Sequence, residues 1–170
     1  TIAASGVPSG NDGVNTYSVP WYAPTTVSEA YKVRIRNTHI VNDPPPGTGL
    51  SDDSDVPFGV RPKFNNIVSP TGASKWYVGD THRVVTWSTT SGLKTNGLPT
   101  KVKIEYNMDG GSYTLIDDPA SGSLDSPDGT NNYTWSVIPN VKTSYAKIKI
   151  TYTDYGENVV KIISPTDFKL

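Results

Sequence analysis

Strict alternation of apolar and polar residues is the pattern that most limits how this chain can fold. Val33 and Ile35 alternate with Lys32, Arg34 and Arg36; Val102 and Ile104 with Lys101, Lys103 and Glu105; Ile148 and Ile150 with Lys147, Lys149 and Thr151. A period of two belongs to a strand that keeps one face on a core and the other in water. Between these runs stand turn formers: Ser91-Gly92, Asn96-Gly97, Asp109-Gly110-Gly111, Pro127-Asp128-Gly129 and Pro44-Pro45-Pro46-Gly47. No stretch long enough for a helix carries a 3.6-residue apolar repeat without Gly or Pro interrupting it, so the expected class is all-β.

Over residues 65–170 the pattern predicts strands near Asn66–Ser69, Trp76–Val78, His82–Ser88, Thr100–Asn107, Tyr113–Ile116, Asn132–Val137, Ala146–Asp154 and Val160–Lys169. Short strands at this spacing suit a two-sheet sandwich of the immunoglobulin or fibronectin type III kind. The chain has no Cys, which removes disulfides, thiolate metal sites and cysteine nucleophiles together. The core must then rest on Trp76, Trp87, Trp135, Tyr106 and the aliphatic residues.

Internal similarity sharpens the domain plan. Pro24 through Lys32-Val33-Arg34-Ile35 aligns with Pro139 through Lys147-Ile148-Lys149-Ile150, and Ser54 through Phe58-Gly59-Val60 aligns with Ser164 through Phe168-Lys169-Leu170. Tyr17-Ser18-Val19-Pro20 is similar to the stretch from Tyr133 to Pro139 with shifted spacing. The expected organisation is one complete unit over 65–170, preceded by the C-terminal half of another over 1–64. A half-sandwich would expose Val19, Trp21, Tyr31, Val33, Ile35 and Phe58, each forfeiting roughly 1.5–3 kcal/mol of burial. Something must cover that face, either a preceding repeat of a tandem array or strands from a neighbouring molecule.

The order of landmarks in the complete unit runs Ile67-Val68-Ser69-Pro70, Trp76-Tyr77-Val78-Gly79-Asp80, Val84-Val85-Thr86-Trp87-Ser88, Tyr133-Thr134-Trp135-Ser136-Val137 and a closing Ser164 to Phe168. It resembles the immunoglobulin-like repeats of secreted bacterial and archaeal surface proteins, and their fungal relative in Ser/Thr-rich, GPI-anchored cell-wall proteins. The resemblance implies an extracellular or cell-surface spacer, adhesive or wall-associated module and seldom an enzyme.

The remaining chemistry is sparse. Fifteen Lys and Arg against sixteen Asp and Glu make no field for a phosphate backbone, so nucleic acid is not an expected partner. Apolar runs fall far short of the roughly 20 residues of a membrane-spanning helix, so membrane insertion is not expected. Asp52, Asp53 and Asp55 crowd carboxylates into one loop and are candidate Ca²⁺ ligands, although the spacing is not that of an EF-hand. Asn132 opens the sequon Asn132-Tyr133-Thr134 and is a candidate glycosylation acceptor. His39 and His82 have no nucleophile elbow to serve, so no catalytic residue is nominated. Trp21, Tyr22, Val33, Ile35 and Phe58 are the expected interface residues. The functional expectation is a non-catalytic repeat of an extracellular filament, stalk or fibre whose partner is itself. A carbohydrate-binding or adhesive module that meets cell-wall polysaccharide through exposed aromatics is the alternative.

Overall fold

The computed structural model describes residues 23–36, 51–90, 93–94, 96–116, 124–155 and 160–170. The chain divides into two compact units, one of Thr1–Pro24 with Ser28–Val60 and the other of Thr25–Val27 with Arg61–Leu170. Apart from one short 3₁₀ turn at Thr153–Tyr155, every regular element among the described residues is a β-strand. The fold is therefore all-β, with several sheets.

In the first unit lie most of β1 (Thr26–Tyr31), with β2 (Arg34–Arg36), β3 (Ser51–Asp53) and β4 (Phe58–Val60). Strand β2 runs antiparallel to β3, with Arg34 opposite Asp53, Ile35 opposite Asp52 and Arg36 opposite Ser51. Likewise β1 sets Ser28 opposite Val60 and Tyr31 opposite Phe58 on β4. The Tyr31 and Phe58 rings meet with centroids 5.9 Å apart.

The second unit holds β5 (Lys63–Ser69), β6 (Thr81–Thr90), β7 (Leu93–Lys94), β8 (Thr100–Met108), β9 (Thr114–Leu115), β10 (Leu124–Ser126), β11 (Gly129–Val137), β12 (Ala146–Tyr152) and β13 (Lys161–Ile163). One antiparallel sheet has the order β11-β6-β5, and a second the order β10-β8-β12-β13, with β9 also on β8. Thr26 and Val27 pair in parallel with Leu93 and Lys94.

A single apolar cluster draws on both sheets: Phe64, Ile67, Val85, Trp87 and Trp135 from one, Val102, Ile104, Ile148, Ile150 and Tyr152 from the other. Two facing sheets sharing one core make a sandwich. Trp76 meets Trp135 edge-on at 6.1 Å and Phe168 at 5.2 Å, while Phe64 stacks on Tyr152 at 4.3 Å. The buried Trp87 indole donates to Ser126 Oγ at 3.1 Å, which satisfies the one polar group that its burial would otherwise strand.

Turn chemistry places the strands. Asp109 and Gly110 take positive φ of 51° and 73°, and the Gly111 N–H donates to the Met108 carbonyl at 2.9 Å. Two consecutive positive φ values are what a type I′ turn requires, and Asp-Gly is the pair that tolerates them best.

Two expectations need correction. Trp76–Val78 is not a strand, because the Asp80 carboxylate accepts the Tyr77 N–H at 2.7 Å and the Asp80 N–H donates to the Tyr77 carbonyl at 2.8 Å. That turn, with Gly79 at φ 78°, leaves only a Lys75–Lys169 bridge there. In addition, β10 was not expected: Leu124-Asp125-Ser126 offers too little apolar signal, yet it pairs with β8 in register.

Candidate assembly surface

The two units repeat one set of backbone pairings. Arg34 opposite Asp53, Ile35 opposite Asp52 and Arg36 opposite Ser51 correspond to Lys149 opposite Ile163, Ile150 opposite Ile162 and Thr151 opposite Lys161. Tyr31 opposite Phe58 corresponds to Ala146 opposite Phe168. Ser28 opposite Val60 corresponds to Thr143 and Leu170, whose backbones exchange hydrogen bonds of 3.0 and 2.9 Å.

Even a side-chain bond recurs. Ser54 donates its N–H to the Val33 carbonyl at 2.8 Å, and its Oγ accepts the Val33 N–H at 3.3 Å. Ser164 does the same for Ile148, at 2.9 and 3.2 Å. Both residues head the segments that align in sequence.

Burial separates the two units. Ala146, Ile148 and Ile150 are wholly buried, whereas Val33 is 52% exposed and Ile35 72% exposed. In the second unit, β8 flanks β12, with Tyr106 opposite Ile148, Glu105 opposite Lys149 and Ile104 opposite Ile150. The β11-β6-β5 sheet supplies Trp87 and Trp135 to the shared cluster. In the first unit, β3 is the one strand paired with β2 among the described residues. Phe58 is half-buried. Trp21 and Tyr22 lie outside the described residues.

Charge is concentrated on the opposite face of β2. Arg34 Nε and Nη2 reach Asp53 Oδ1 and Oδ2 at 2.6 and 3.0 Å, a fork against a carboxylate. This side-chain hydrogen bond, with the charge behind it, holds Asp53 below the usual carboxylate range and raises the Arg34 guanidinium. The ion pair is exposed, so it orients the side chains and adds little stability. The corresponding cation in the second unit, Lys149, meets the nearly buried Glu105 at 2.7 Å.

Asp52 and Asp53 are successive strand residues and point to opposite faces. Asp53 is engaged by Arg34 and Asp55 is exposed. Among the described residues, no group of three or more His, Asp or Glu is placed to hold a metal ion. Asn132 is exposed on β11, where its Oδ1 accepts the Thr86 hydroxyl at 2.8 Å.

A separate open groove of about 640 Å³ lies beside the Asp109-Gly110 turn, lined by Asn107, Asp109, Tyr113, Tyr145, Lys147 and Asp167 among others. Lys149 Nζ stands 4.1 Å from the centre of the Tyr113 ring, and burial, with Glu105 nearby, raises the Tyr113 phenol above its ordinary value. Tyr145 is 62% exposed. Sequence reading did not nominate these tyrosines, although Tyr145 stands out of phase with Ala146, Ile148 and Ile150 and is thereby marked as outward-facing.

No protein-family model, no curated protein and no solved structure matches this chain.

Proposed function

We propose that the chain is a non-catalytic structural repeat of an extracellular filament, stalk or cell-surface fibre, in which the first unit is completed by strands from another unit. The second unit, read this way, is an immunoglobulin-like or fibronectin type III-like sandwich. One observation carries the proposal: identical pairing registers in the two units, with Val33 and Ile35 in water where Ile148 and Ile150 are wholly buried. A sequence that builds the same strand pair twice gains from it only where both pairs are covered, since each exposed aliphatic side chain forfeits about 1.5–3 kcal/mol.

Electron microscopy and sedimentation velocity across a wide concentration range test the assembly. Filaments or a concentration-dependent series of oligomers are expected; monodisperse particles at the highest concentration would sink the proposal.

The groove at Tyr113 and Tyr145 supports a second reading, a carbohydrate-binding module. Tyrosine faces pack on apolar sugar faces, and Asn107, Asp109 and Lys147 supply hydrogen-bonding groups at the same place. On that reading insoluble glycan retains the wild-type chain and releases Tyr145→Ala. Equal retention of both would remove this groove as the binding site.

A further inference from the structure

We infer that another groove of the second unit, lined by Lys75, Tyr77, Lys142, Tyr145 and Lys169 among others, is a binding site for an anionic polysaccharide. This goes beyond the carbohydrate reading of the Tyr113 groove. Tyr145 and Asp109 border both grooves, but these three lysines belong to this one and select a charged ligand.

The groove holds about 700 Å³, and backbone pairing fixes its walls. The Trp76 N–H donates to the Lys169 carbonyl at 3.0 Å and the Lys169 N–H to the Ser74 carbonyl at 3.2 Å, while Thr143 and Leu170 bond each other in both directions. Buried Trp76 lies between Lys75 and Tyr77, and Lys169 lies between buried Phe168 and Leu170. Anchoring those three apolar side chains in the core leaves Lys75, Tyr77 and Lys169 exposed.

Charge defines the ligand. The whole chain carries a formal −1, so only a local excess of cations attracts a polyanion to it. Lys94, Lys101, Lys103, Lys147 and Lys149 each form an ion pair with a carboxylate. Among the described residues, Lys75, Lys142 and Lys169 form none, and all three are exposed. The acidic side chain beside them, Asp109, is engaged by Thr143, whose hydroxyl donates to its Oδ1 at 2.6 Å. Three ammonium groups are left to make charge-assisted hydrogen bonds with carboxylate or sulfate groups of a ligand.

The tyrosines favour a sugar over a peptide as the carrier of that charge. Tyr77 is 66% exposed and Tyr145 62%, and their flat faces suit the apolar side of a sugar ring. A peptide strand finds no ladder to join here, because the backbones of Trp76, Thr143, Lys169 and Leu170 are already paired.

Fluorescence anisotropy of labelled probes titrated with the full chain tests this, using oligogalacturonate, dextran sulfate, neutral dextran and polyglutamate. Saturable binding is expected for oligogalacturonate or dextran sulfate, the tighter of the two naming the anion, and none for dextran. Polyglutamate, which has charge but no sugar ring, should bind roughly 2- to 10-fold more weakly, and Tyr77→Ala should weaken the anionic glycan by a similar factor while leaving polyglutamate unchanged. Lys142→Glu combined with Lys169→Glu should weaken the anionic glycan roughly 3- to 10-fold. Lys63→Glu, exposed and outside the groove, should change it less than about 2-fold.

Dextran bound as tightly as the anionic glycans, equal losses from Lys63→Glu and from the double reversal, or no saturable binding at millimolar sugar would overturn the inference. So would polyglutamate bound as tightly as either glycan, which would make the groove a surface for an acidic polypeptide. The outcomes separate this groove from the Tyr113 groove. Retention on neutral insoluble glycan, with no anionic probe bound, leaves the earlier carbohydrate reading standing and removes this one. Anionic binding that Tyr77→Ala weakens, in a chain that no neutral glycan retains, leaves this groove standing and removes the other.

Discussion

Asp80 organises the start of the second unit through a single carboxylate oxygen. Its Oδ2 accepts the Tyr77 N–H at 2.7 Å and Arg83 Nε at 2.9 Å, and these bonds hold it below its ordinary value, the backbone bond being the larger cause. A carboxylate with a depressed folded pKa stabilises fully above its unfolded value, and the contribution is lost as pH falls through the lower folded value. Asp80→Asn retains an oxygen for the Tyr77 amide and removes the charge that Arg83 meets. The expected result is a lower urea midpoint than wild type at pH 7, with the gap closing as pH falls below about 4. Parallel urea titrations at pH 7 and pH 3 check it, and a gap independent of pH would mean that the charge is not what matters. None of this is visible in the sequence, where Trp76–Val78 reads as a strand and nothing shows which amide the Asp80 carboxylate turns back to accept.

At the scale of strands, one substitution made at matched positions separates pairing from burial. Val33 is the counterpart of Ile148 and Ile35 that of Ile150, with Ile162 opposite Ile150 and Asp52 opposite Ile35. Ile150→Ala removes a wholly buried side chain and should cost about 2–5 kcal/mol. Ile35→Ala removes one that is 72% exposed and should change stability by less than about 0.5 kcal/mol. Denaturant unfolding of both variants measures the difference. Similar losses would mean that Ile35 is covered in solution. The alternation that predicts β6, β8, β11 and β12 was legible because each runs seven residues or more and faces a core. Strand β10 is three residues long with one apolar side chain, so its pairing is decided by β8 rather than by its own composition. How the acidic run is arranged was hidden for a related reason. Asp52 and Asp53 are close in number, but strand geometry sends adjacent side chains to opposite faces, and only the fold brings Arg34 to one of them.

For the whole molecule, the two units should differ in how tightly they hold their backbone hydrogen bonds. The second has a shared core of tryptophans and aliphatics contributed by two sheets. In the first, the described strand pairs leave Val33 and Ile35 largely in water, and an isolated two-stranded hairpin is marginally stable at best. Local opening free energies range from near zero for such elements up to the global value for core strands. Hydrogen exchange of the full chain should therefore show β8 and β12 exchanging only by global unfolding, while β2 and β3 exchange faster by orders of magnitude. The sequence repeat predicts the same pairings in both units; it carries no information on which copy is covered, because burial depends on strands that the repeat does not contain. The comparison becomes decisive when repeated under conditions that promote assembly. If strands from another chain complete the first unit, protection at Arg34–Arg36 and Ser51–Asp53 should rise toward that of β12 while the second unit is unchanged. If β2 already exchanges as slowly as β12 in the dilute monomer, then the first unit is complete without a partner, and the array is not needed to explain the repeat.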